Sequence, residues 1–104
     1  MNAPNTLAAP AQVAVPVSSA TAATEILPSA NRYRAGVLIA NGTGGDLFVR
    51  LQPKSDSAPT LAQVATVWSY KIPSGSTLPV AAGALTAVYL AAASAGTANV
   101  QEIG

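Results

Sequence analysis

The feature that most constrains this chain is its punctuation. From residue 35 onward, apolar runs of strand length are cut about every ten residues by clusters of Gly, Pro, Asn and Ser, and no helical apolar period persists for three turns. Residues 35–40, AGVLIA, form a continuous apolar run, and residues 41–45, NGTGG, offer the positive-φ residues of a hairpin turn. In residues 46–52 the pattern alternates, with Leu47, Val49 and Leu51 on one face and Phe48, Arg50 and Gln52 on the other. Residues 53–60 read as a polar loop and residues 67–72 as a strand, with Trp68, Tyr70 and Ile72 on one face filling the core. A turn at 73–76, an extended piece at 78–81, a strand at 85–92 buried on both faces, a hairpin turn at 94–96 and a last strand at 97–103 complete the series. Five or six short strands spaced this way predict an all-β fold, a small antiparallel β-sandwich or barrel.

Composition narrows the chemistry. The 104 residues include no Cys and no His, so thiolate nucleophiles, imidazole bases, disulfides and nitrogen or sulfur metal ligation are excluded. The side-chain carboxylates are Glu25, Asp46, Asp56 and Glu102, with no D-x-D spacing among them. A calcium site or a paired-carboxylate hydrolase would need them to converge from distant segments. We therefore expect no catalytic residue, no metal and no cofactor. Asn41-Gly42-Thr43 fits the acceptor pattern for N-glycosylation, but residues 1–5 lack the basic start of a secretion signal, and the triplet reads as a turn. The Gly-rich stretch lacks a following Gly-Lys-Ser/Thr and leads into a strand, so it does not read as a phosphate loop.

Half of the residues are apolar, 23 of them Ala, and only 9% are charged, for a formal net charge of +1. No basic run is present to track phosphates or anionic lipid, which argues against nucleic acid and membrane partners. Residues 78–95 are uncharged and long enough for a spanning helix, but eight of them are Ala, and Pro79 and Gly83 interrupt them. So small a core, without disulfides or Cys/His metal sites, points to subunit contact as the means of covering the apolar surplus.

Residues 1–30 differ in texture. They are rich in Ala, Pro, Thr and Ser, with Glu25 as the one charge, and Pro4, Pro10, Pro16 and Pro28 disfavour helix. Two readings stand: a disordered tail, and an extended arm in which Val13, Val15 and Val17 pair as a strand on another sheet or subunit. The boundary with the β-domain, residues 31–104, is placed between residues 30 and 31. Arg32 and Arg34, sharing one face of an extended segment, are candidates for pairing with Glu102, Asp46 or an acidic neighbour. Phe48, opposite the Leu47, Val49 and Leu51 face, is a candidate subunit contact.

Beginning at ANRYRAGVLIAN (30–41), and continuing through DLFVRL (46–51), WSYKIPSGSTLPV (68–80) and AVYLAAASAGTANVQE (87–102), the chain resembles small β-structured virion proteins of tailed bacteriophages, found as head decoration, cement or fibre-base subunits. The resemblance spans about 70 of the 104 residues and leaves out the Ala/Pro-rich first 30. It implies a non-enzymatic protein, often trimeric, that binds the major capsid protein on the capsid surface. The expectation is therefore a capsid decoration or cement subunit, acting as a homotrimer with residues 1–30 as a contact arm. The alternatives are a fibre or spike subunit that meets a host glycan through residues 53–60, and a small membrane protein of lysis built on residues 78–95.

Overall fold

Strands form on the expected runs, that at 67–72 only in its second half, and two more form upstream. The computed structural model describes residues 9–28 and 32–104. Its elements are β1 (Ala11–Val15), β2 (Glu25–Ile26), β3 (Gly36–Asn41), β4 (Leu47–Pro53), helix α1 (Leu61–Thr66), β5 (Tyr70–Ile72), β6 (Thr77–Val80), β7 (Thr86–Ala92) and β8 (Gly96–Ile103). They build two four-stranded antiparallel sheets, sheet A in the order β1-β8-β3-β6 and sheet B in the order β2-β7-β4-β5. The inner faces meet in one core, where Val37, Ile39, Val80 and Val100 of sheet A pack against Leu47, Val49, Ile72 and Val88 of sheet B, all at or below 1% exposure. This strand order is that of an eight-stranded jelly roll, an all-β sandwich.

Successive strands cross from one sheet to the other, except that β4 and β5 pair within sheet B. The segments at 41–45 and 94–96, expected as hairpin turns, are therefore arches between sheets. Gly42 and Gly96 serve close approach rather than positive φ. A Cβ on Gly42 would lie 2.7 Å from the Thr97 carbonyl oxygen, and one on Gly96 would lie 2.8 Å from the Thr43 Cα. Gly75 is different. Its φ of 80° and the Ser76 N–H bond to the Pro73 carbonyl at 3.1 Å define a type II turn, and nothing surrounds its missing Cβ. Gly75→Ala is thus expected to cost about 1 kcal/mol through backbone strain alone, read as a lower urea midpoint at unchanged m-value.

The described part of the expected arm is built into the domain: β1 pairs with β8 and β2 with β7. Val15 and Ile26 enter the core because they close its open side. The boundary expected between residues 30 and 31 lies outside the described residues, as do residues 1–8. The membrane-helix candidate, residues 78–95, instead runs through β6 and β7, and among the described residues no helix is long and apolar enough to cross a membrane.

Helix α1 replaces the first part of what reads as loop and strand. Thr60 caps it, its hydroxyl accepting from the Gln63 N–H while the Gln63 side chain accepts from the Thr60 N–H. Leu61 and Val64 pack on the outer face of sheet B against Ala87, Tyr89 and Ala91, making a third layer. β5 starts only at Tyr70, because the chain leaving α1 joins the edge of β4 through Ser69, whose N–H donates to Val49 and whose hydroxyl accepts from the Leu51 N–H. That junction breaks the alternation. Tyr70 and Ile72 face the core, while Trp68 lies on the outer face, 41% exposed.

Candidate contact surfaces

Two buried polar side chains hold the loops at opposite ends of β3, and both belong to the fold rather than to a surface. Arg34, 4% exposed, donates from Nε to the Ala82 carbonyl at 2.9 Å and from one terminal nitrogen to the Gly83 and Thr86 carbonyls at 2.8 and 2.6 Å. Its other terminal nitrogen lies 3.8 Å from the Glu102 carboxylate. Burial pulls this guanidinium below its ordinary pKa, against the opposing pull of Glu102 and Glu25. At the other end Asn41, 2% exposed, donates to the Gly45 and Ile72 carbonyls and accepts from the Thr43 N–H and hydroxyl. All four hydrogen-bonding positions of the amide are filled.

Of the residues singled out in the sequence, the pairing of Arg34 with Glu102 is present, but Arg34 is not available to a partner. Nor does it share a face with Arg32, since residues 32 and 33 form a turn and Arg32 is exposed, its guanidinium 4.7 Å from the Tyr33 ring centre. Val15 is 2% exposed and fixed in the core; Val13 is half-buried, and Val17 is 45% exposed. Phe48 is half-buried beside the cluster under α1, with its ring centre 6.3 Å from that of Trp68. It is an internal packing residue on that face. Trp68 is the aromatic that solvent meets there, with the Lys71 ammonium 5.8 Å from its ring centre.

Tyr89 is buried under α1, directly across the β2–β7 pair from Glu25. Desolvation first, and the Glu25 charge second, raise its pKa above the ordinary value of 10. The folded state thus keeps a proton that the unfolded chain releases, so this contribution to stability is intact below about pH 10 and declines as pH rises through that value. Between pH 9 and 11 the urea midpoint of the native protein is expected to fall more than that of Tyr89→Phe.

The outer face of sheet A carries no charge. By strand register it presents Gln12 and Ala14 from β1, Thr97, Asn99 and Gln101 from β8, Leu38 and Ala40 from β3, and Thr77 and Pro79 from β6. None is charged, all are exposed or half-buried, and no described element covers them. Charge depletion of this kind marks the core of protein interfaces. The sheet edges also differ. β2 is two residues long and carries Glu25, β5 is three residues long and carries Lys71, and β6 contains Pro79. Short length, charge and proline are the usual means of blocking strand addition. β1, AQVAV, has none of them. Beside it an apolar groove of about 910 Å³ opens toward β2, lined by Val13, Val15, Val17, Ile26, Leu61 and Leu90.

Among the described residues no three His, Cys, Asp or Glu side chains converge. Glu25 is bound by the Lys54 ammonium and Glu102 lies beside Arg34. Compared with protein-family models, with curated proteins and with solved structures, the chain matches none.

Proposed function

We propose that the protein is a non-enzymatic structural subunit of a tailed-phage virion that decorates or cements the capsid surface as an oligomer. The observation that carries this reading is the uncharged outer face of sheet A, which no described element covers. Burying it desolvates no ion, and apart from Gln12 and Gln101 its polar side chains, Thr77, Thr97 and Asn99, are short and lose little rotamer freedom. A second support is fold-level analogy, since eight-stranded jelly rolls recur in viral capsid domains. Repetition over an oligomer gives avidity that one small face lacks. Deleting the coding sequence from the source virus is expected to leave particles that assemble but lose resistance to heat or osmotic shock. Particles unchanged in composition and resilience would contradict the reading.

A second reading, a fibre or spike subunit bound to a host glycan, is favoured by one observation: Trp68 is exposed beside Phe48 and under Lys71, an aromatic platform of the kind sugars stack on. Trp68 is the one Trp of the chain, so its fluorescence reports directly. Saturable quenching by host-surface glycans would favour this reading over the first.

A further inference from the structure

We propose that β1 is the self-association edge of the protein, pairing antiparallel with β1 of a second copy about a two-fold axis at Val13. The proposal rests on the assembling-subunit reading and names its self-contact.

Three observations converge on β1. It is an outer strand of sheet A, and among the described residues no strand lies on its far side. It is the longest of the four edge strands, and the one with neither charge nor proline. Its sequence also suits its own copy. In the antiparallel register centred on Val13, that residue meets Val13 of the second copy, Ala11 meets Val15, and Gln12 meets Ala14. No charge lies anywhere in residues 9–24 to oppose itself across the axis. Charge or bulk is a common means of discriminating against unwanted partners, and β1 carries neither.

The pairing has two structural consequences. The apolar grooves beside the two β1 strands meet at the axis, so Val13 and the exposed Val17 gain cover. The two sheets A also join into one eight-stranded sheet, β6-β3-β8-β1 continuing into its copy. One uncharged face, four strands about 4.8 Å apart and about 20 Å long, offers roughly 400 Å². Two joined faces offer roughly 800 Å², the contribution of one partner to a stable interface. The resemblance to phage proteins implies three-fold assembly; an edge pair of this kind closes with two.

Sedimentation equilibrium of the full chain at micromolar concentration and about 0.15 M salt tests the contact. A mass twice that of the 10.3 kDa chain is expected. Gln12 and Ala14 are exposed, so substituting them leaves the core intact, as circular dichroism would verify. Gln12→Lys with Ala14→Lys places lysine opposite lysine on both sides of the axis, and the dissociation constant is expected to rise tenfold or more. Gln12→Lys with Ala14→Glu places lysine opposite glutamate, and the dimer is expected to persist within about threefold. A monomeric or trimeric native chain, or a dimer indifferent to the Lys/Lys variant, overturns the proposal. A monomer that still binds particles overturns the edge contact alone, whereas a dimer that ignores them supports the edge contact and overturns the capsid reading.

Discussion

Replacing Arg34 by Met is expected to lower stability by about 3 kcal/mol, one of the two largest effects of a single side chain here. The substitution keeps the aliphatic bulk and removes the whole guanidinium. It leaves the carbonyls of Ala82, Gly83 and Thr86 without their donor and removes the guanidinium beside the partly buried Glu102. Those carbonyls belong to the 82–86 loop that brings the chain back into β7, so the loss falls on the passage between sheets. Arg34→Lys keeps the charge, but a single ammonium cannot span acceptors arranged for a planar fork, and about half the loss is expected to remain. Glu102→Gln should cost less than 1 kcal/mol, because its contact with Arg34 is long and 18% of its side chain is exposed. Urea denaturation at pH 7 separates the three variants. An Arg34→Met protein as stable as the native one would show that the carbonyls find water instead.

Asn41→Asp is expected to cost about as much, and its pH dependence identifies the cause. The native amide donates to the Gly45 and Ile72 carbonyls at 2.9 and 2.8 Å. A carboxylate there would face both carbonyls as acceptor against acceptor, buried and without a cation. Its pKa in the folded state would therefore rise above the ordinary Asp value of about 3.9. A raised folded pKa means stability is fully present below that value and is lost as pH rises through the folded pKa. Asn41→Asp should thus lie about 3 kcal/mol below the native protein at pH 7 and approach it near pH 4. Asn41→Ala should lack this pH dependence. A flat difference for the Asp variant would assign Asn41 a packing role only.

The strand runs were legible because β3, β4, β7 and β8 each carry a pattern set by burial on one face or both. What followed each run was not legible. Turn residues at 41–45 and 94–96 mark a reversal, but whether the next strand pairs alongside or crosses to the opposite sheet depends on where six other strands lie. Gly42 and Gly96 are fixed by that crossing, through approaches to Thr97 and Thr43 distant in sequence. Residues 11–26 read as an arm because proline and alanine dilute the pattern, although Val13, Val15 and Ile26 suffice to close one side of the core. Helix α1 is shorter than any periodicity test detects; the signal that finds it is the Thr60 and Gln63 capping pair ahead of Leu61 and Val64. Parity alone puts Trp68 in the core, and parity fails where Ser69 substitutes its hydroxyl for a ladder partner.

The candidate surfaces were harder still to read. Val13 and Val17 stand beside the β1 groove as an extended contact segment would, but Val15 and Arg34 are internal. A sequence shows that Arg34 is charged and near Tyr33; only the fold shows three carbonyls from the 82–86 segment aimed at it. The uncharged face of sheet A was visible only as a composition, a shortage of charge without an address. Register gives it one, because β1, β8, β3 and β6 turn their uncharged parity outward together.

The most direct test of the central claim, that this protein functions as a contact within a particle, is its copy number in purified virions. Particles banded on a density gradient from the source that carries this sequence would be digested and the chain quantified against the major capsid protein. The account predicts a fixed stoichiometry, unchanged by further purification and lost when the outer face of sheet A is charged by Asn99→Lys with Thr97→Glu. A chain that stays in the unsedimented fraction, with none on the particles, would contradict it.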